Sequence, residues 1–264
     1  MNVKSLLKDY VINVIHKYME IWIFSIVSVI IVSAISLIGI AFLSIQPARL
    51  QKVVFILVSF AVGGLFGDAF FHLLPESIDS LKNHTLIGIL IISGIMTFFV
   101  LEKFILWRHD HRIYPIPKEK IKPIGYINLI ADSFHNFIDG ILIASSFIVS
   151  PQIGIATTIA VILHEIPQEI GDFGVLIHSG FSIKRALFLN FITACTAIIG
   201  AVSALLFEQT IQGFSHLVLP FAAGGFIYLA GSDLMPELKK ENSIKQSAKQ
   251  FIFIALGLLL LYNF

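Results

Sequence analysis

The sequence predicts an all-α polytopic membrane protein, with about eight transmembrane helices arranged 3+2+3 around an inverted repeat. Three observations carry that prediction. The chain of 264 residues is 56% apolar and 13% charged, with a mean hydropathy of +0.88, which leaves too little polar surface to cover a water-soluble globule. Apolar runs of about 20 residues recur along nearly the whole length, matching a roughly 30 Å hydrocarbon core and not the roughly ten-residue alternating segments of an outer-membrane barrel. Residues 61–76, AVGGLFGDAFFHLLPE, align without gaps on residues 222–237, AAGGFIYLAGSDLMPE, with the Gly-Gly pair and the terminal Pro-Glu in common.

Taken in order, residues 1–20 carry Lys4, Lys8, Asp9, Lys17 and Glu20 among apolar neighbours. They read as an N-terminal amphipathic segment lying at the interface rather than a removable signal peptide. Residues 21–264 read as a single transmembrane domain with spans near 21–45, 52–74, 85–107, 124–149, 152–178, 185–207, 213–236 and 247–263. The stretch 108–123, RHDHRIYPIPKEKIKP, is long enough to be a solvated loop, and its prolines oppose a continuous helix.

Positive charge sets the orientation. Of the 18 Lys and Arg residues, Lys4, Lys8 and Lys17 lie in the N-terminal segment and Lys82 follows the second span. All others lie in or beside the connections after spans 1, 3, 5 and 7. The positive-inside rule therefore places those connections, including 108–123, in the cytoplasm, and both termini outside. Spans 2 and 7, which hold the repeat, then cross in opposite directions, an arrangement found in secondary transporters. The single cysteine, Cys195, excludes an intramolecular disulfide and a thiolate metal cluster. A net charge of +1 singles out no nucleic-acid partner.

The residues that carry chemistry sit where ionised groups are costly. Asp132, Asp139, Glu165, Glu169 and Asp172 fall in spans 4 and 5, and at roughly 2.5–3.5 kcal/mol each they would oppose insertion by on the order of 10 kcal/mol. A bound cation offsets that most simply. His135 and Asp139 are four apart and share a helix face, with Asn136 beside them and Asp132 a turn earlier. On span 5, His164 and Gln168 repeat the spacing, and Glu165, Glu169 and Asp172 form a neighbouring stripe. The short connection at Ser150-Pro151 makes the two spans an antiparallel hairpin whose stripes can face each other. Imidazole and carboxylate ligands without thiolate suit Zn²⁺, with Fe²⁺, Mn²⁺ and Cd²⁺ open. Pro167, within this stretch, is expected to kink the fifth span near His164.

The pairing of HNFIDG in the fourth span with HEIPQEIGD in the fifth resembles the ZIP family of divalent metal transporters. It is closest to the branch whose fifth helix reads H-E-x-P-H-E-x-G-D. His109 and His111 in the loop after span 3, and a Gly-rich second span ending in His72-Leu73-Leu74-Pro75-Glu76, support the resemblance, which runs from about residue 21 to the end. It implies metal influx toward the cytoplasm through a binuclear centre, by an elevator-like movement of a transport bundle against a dimerising scaffold. By position it implies one metal site of His135, Asp139, His164 and Gln168, and a second of Asn136, Asp139 and Glu165, with Asp139 bridging. Gln168 stands where that branch has a second histidine. Either the first site binds more loosely, or Glu169 turns in to replace the missing ligand.

The resulting expectation is a zinc-first carrier, not an enzyme, in a plasma or inner membrane, a homodimer with metal ions and membrane lipid as its partners and no organic cofactor. Asp68, His72 and Glu76 share one face of span 2 and are expected to pass the ion inward, with Asp233 and Glu237 helping release it. Asn190, Thr193 and Thr196 on span 6 read as packing residues able to hydrogen-bond to the motif helices. Two other classes compete. An intramembrane zinc metalloprotease would use the His164-Glu165 start of an H-E-x-x-H motif, but Gln168 occupies the second histidine's place. A membrane metal sensor without transport has the same ligands.

Overall fold

The computed structural model describes residues 3–39, 47–107, 123–239 and 243–264. Helix α1 (Val3–Ile35) ends in a 3-10 turn, Ser36–Ile38. Helix α2 starts as Pro47–Asp68, widens through a π-helical segment (Ala69–Leu73) and continues as Leu74–Leu81. Then come α3 (His84–Trp107), α4 (Pro123–Val149) and α5 (Pro151–His178). Helix α6 comprises Ile183–Ala194 and, past a bend at Cys195, Thr196–Thr210. Helix α7 runs from Phe214–Tyr228 through a second π-helical segment (Leu229–Leu234) to Met235–Leu238, and α8 is Ile244–Tyr262. Among the described residues there is no strand, and the fold is the all-α polytopic one expected.

Local chemistry sets the turns. Lys82, at a φ of 51°, closes α2, and Asn83 Oδ1 then accepts the Leu86 N–H to start α3. Ser150 Oγ accepts the Ile153 N–H at 3.2 Å, with Pro151 opening α5. Glu208 accepts the N–H groups of Gly213 and Ser215 at the start of α7.

Helices α1–α3 and α6–α8 are long and apolar enough to cross a membrane. Helices α4 and α5 hold the polar motifs and pack against α1, α2, α6 and α7, which keeps their carboxylates away from lipid. Helix α1 is unbroken across residue 20, and its membrane-length apolar stretch begins at Ile15. Helix α2 continues past residue 74, near which the sequence reading ends the second span. The wider π turn accounts for this: Pro75 has no N–H to donate and would crowd the carbonyl of Phe71 in a regular α-turn. In α7 the second π turn precedes Pro236 in the same way, and the aligned residues Ala69/Ala230 and Leu73/Leu234 fall in both π segments. Helix α5 is continuous through Pro167.

The repeat is visible in the packing. Helix α2 packs on α8, and α7 packs on α3. A Cβ on Gly63 would strike the carbonyl oxygen of Ile254, and one on Gly257 would strike that of Phe60. The other pair reproduces this contact: Gly224 meets the Ile91 carbonyl, and Gly94 meets that of Phe221. Phe60 and Gly63 align with Phe221 and Gly224 in the repeat register. Backbones come this close only where both helices lack a side chain. Two groups of four result, α2/α3/α7/α8 and α1/α4/α5/α6, which meet mainly along α2 with α5 and α4 with α7.

Candidate metal centre

Helices α4 and α5 bring four ligand atoms together between them. His135 Nε2 lies 3.3 Å from His164 Nε2, 3.5 Å from Asp139 Oδ2 and 3.3 Å from Glu165 Oε1. His164 Nε2 lies 3.2 Å from Asp139 Oδ2 and 3.5 Å from Glu165 Oε1. The sixth separation, carboxylate to carboxylate, is under 4.8 Å. The five edges of 3.2–3.5 Å are those of a regular tetrahedron whose corners lie about 2.0–2.1 Å from its centre, the bond length of Zn²⁺ to imidazole nitrogen and carboxylate oxygen. All four residues are buried.

The surroundings orient these atoms. His164 Nδ1 stands 3.1 Å from the Ala160 carbonyl, an acceptor, so Nδ1 carries the proton and Nε2 presents its lone pair. Phe98 and Phe226 set ring edges against His135 and His164. Asp139 Oδ1, both Glu165 carboxylate oxygens and Asn136 Oδ1 are buried and have no hydrogen-bond partner among the described residues. Unpaired acceptors in such number are costly unless a cation satisfies them. The donor set and its lack of hydrogen-bond donors thus fit a divalent metal as cargo.

The other sequence-predicted residues occupy distinct places. Asn136 is fully buried, with its amide nitrogen on Asp132. Gln168 is half-buried in a cavity of about 290 Å³ that it lines with His135, Asp132, Asp172, Glu102 and Tyr228. Glu169 is buried between α5 and α6, where Asn190 Nδ2 donates to its Oε2. On α2, Asp68 is fully buried and pairs with His72 at 3.2 Å, Glu76 is half-buried one turn on, and none of the three is in the four-atom group. His109 and His111, and the side chains of Asp233 and Glu237, lie outside the described residues.

Helix α6 reaches the motif helices through three polar side chains. Thr193 donates to Asp132, Asn190 to Glu169, and Thr196 to the Ser133 carbonyl. Sequence reasoning missed the Tyr228 hydroxyl, which donates to Glu102 at 2.5 Å across the cavity wall. The signal was there in Glu102, an ionisable residue inside an apolar span. Gly140 and Gly200 let α4 and α6 approach backbone to backbone, which holds the HNFIDG segment in register.

Fold and site together define a polytopic membrane protein built around a buried histidine-carboxylate centre. The family model for the ZIP zinc transporter matches residues 19–120 and 115–263, and the chain belongs to the ZIP zinc transporter family. It is 36% identical to zinc transporter ZIP13 of Pongo abelii, over 79% of this chain and 66% of that one. Zinc transporter zipt-7.2 of Caenorhabditis elegans is 32% identical over 92% of this chain and 65% of its own length. Zinc transporter SLC39A7 of Homo sapiens is 30% identical over 91% of this chain and 70% of its own. The chain thus spans about two thirds of these relatives' length. The relatives are named transporters, which sets the metalloprotease reading aside.

Proposed function

We propose that this chain carries divalent metal, zinc first, toward the cytoplasm through the site between α4 and α5. The observation that carries the proposal is the buried grouping of His135, Asp139, His164 and Glu165, with five of the six ligand-atom separations at 3.2–3.5 Å, the spacing of ligands around a tetrahedral zinc ion. Asp139 bridges to a second ion held by Asn136 Oδ1 and the remaining Glu165 oxygen, which supplies a cation for the unpaired acceptors. Gln168, which lines the cavity with His135, contributes a neutral and weaker ligand than a third imidazole, so the harder ion Mn²⁺ competes better than it would at a three-histidine site, with Fe²⁺ and Cd²⁺ also open as cargo. The names of the relatives support zinc as the leading substrate.

The path has three parts. Asp68, His72 and Glu76 receive the ion on the outer side, the paired site binds it, and the cavity lined by Asp132, Gln168, Asp172 and Glu102 leads it inward. Asp233 and Glu237 help release it. Access alternates by elevator-like displacement of α1/α4/α5/α6 against α2/α3/α7/α8, two groups that meet along a limited seam. The second group is the dimerising scaffold, the connection between α3 and α4 is cytoplasmic and both termini are outside. In a zinc uptake assay, alanine at His135 or at His164 abolishes high-affinity uptake while the folded protein remains in the membrane. Equal uptake by parent and both variants would refute the site, and tight zinc binding without uptake by the parent would favour a sensor.

A further inference from the structure

We infer that Asp132 and Thr193 form a clamp that holds Asn136 with its carbonyl oxygen turned to the second metal ion, making both of them positioning residues for transport. The inference rests on Asn136 being a ligand, as proposed above. An asparagine side chain ligates a metal through Oδ1, since its amide nitrogen offers only donors. The two ends of the amide have nearly the same shape, so hydrogen bonds decide which end faces which way.

At Asn136 that decision is one-sided. Nδ2 lies 2.8 Å from Asp132 Oδ1 and 3.2 Å from the Asp132 main-chain carbonyl, and both of these are acceptors. Turning the amide over would set oxygen against two oxygens, so the amino group stays on Asp132 and Oδ1 stays on the opposite side. There Oδ1 is buried and has no hydrogen-bond partner among the described residues.

Asp132 is itself restrained. Its other carboxylate oxygen accepts the hydroxyl of Thr193, which reaches across from α6. One turn along α6, the Thr196 hydroxyl donates to the Ser133 carbonyl at 2.7 Å, holding the same two helices together. Asp132 is 4% exposed and lines, with His135, the cavity beside the four-atom group. The order of control runs from Thr193 through Asp132 to Asn136, and from there to the ion.

The test is the KM for Zn²⁺ entering proteoliposomes, with thermal melting as the check on folding. Asp132→Ala and Thr193→Val are expected to raise KM about 10-fold with little change in kcat, as losses of an outer hydrogen-bond partner do at metal sites. Thr193→Ser keeps the hydroxyl and should restore the parental KM. In an Asn136→Ala background, Asp132→Ala should have no further effect, because the group it orients is gone. Additive effects in the double variant would overturn the clamp, since Asp132 would then act as a ligand or a fold element in its own right. An impaired Asn136→Ala beside a parental Thr193→Val would also overturn the clamp alone, whereas a parental Asn136→Ala would overturn the reading of Asn136 as a ligand along with it.

Discussion

A histidine buried among helices needs a partner for each ring nitrogen. At His164 the Ala160 carbonyl takes one proton, and the other nitrogen faces three further ligand atoms within 3.5 Å. In the proposed site, Gln168 is the residue expected to set selectivity. Replacing it with histidine adds an imidazole beside His135 and moves the donor set toward zinc over the harder ions. Gln168→His is therefore expected to strengthen zinc competition against Mn²⁺ by about 10-fold, measured as uptake of one metal in the presence of the other. An unchanged ratio would place Gln168 outside the coordination sphere. The grouping of His135, Asp139 and His164 was legible in the sequence because i, i+4 spacing on two hairpin-linked helices leaves little choice of face, whereas Glu165 joins them from the neighbouring stripe and Gln168, the i, i+4 partner of His164, is not in the four-atom group. The locations of Gln168 and Glu169 were not, since both were candidates for the same missing ligand. Glu169 lies against Asn190 because α6 offers it a donor there, a contact that no periodicity on α5 records.

Among the elements, the helices were legible and their irregularities were not. Hydropathy located the rods, but it put the end of the second span near residue 74, whereas a π turn carries α2 onward to Leu81. A π turn adds one residue to a helical turn and leaves no trace in composition. The repeat in the sequence matched α2 to α7 but did not name the helices they pack on, and the reciprocal glycine contacts of α2 with α8 and of α7 with α3 show that the two matched helices are held in the same way. Gly94 lies against the Phe221 carbonyl, whereas a Cβ on Gly88 of the same helix would meet nothing within 4 Å. Gly94→Ala is expected to destabilise the protein by about 1–3 kcal/mol, read as a lowered melting temperature in detergent. Gly88→Ala should be neutral or slightly stabilising. Equal melting of the two variants would show that α3 and α7 are not in backbone contact.

For the whole molecule, the question is whether the two groups of four helices slide past each other. Their seam offers a test, because a Cβ on Gly64 of α2 would lie 3.8 Å from the Cβ of Leu163 on α5, about the mean spacing in a disulfide. In a Cys195→Ser background, Gly64→Cys with Leu163→Cys should cross-link on oxidation, stop uptake while leaving zinc binding intact, and recover on reduction. Uptake that persists in the cross-linked protein would exclude movement of α5 along α2.

Zinc is proposed to cross the membrane through the His135/Asp139/His164/Glu165 centre. The most direct measurement is zinc entering proteoliposomes loaded with a zinc-sensitive dye, with the parent compared against His164→Ala at equal reconstitution. Saturable influx in the parent that is lost in the variant is the predicted result. Equal influx in both, or tight binding by the parent without influx, would contradict it.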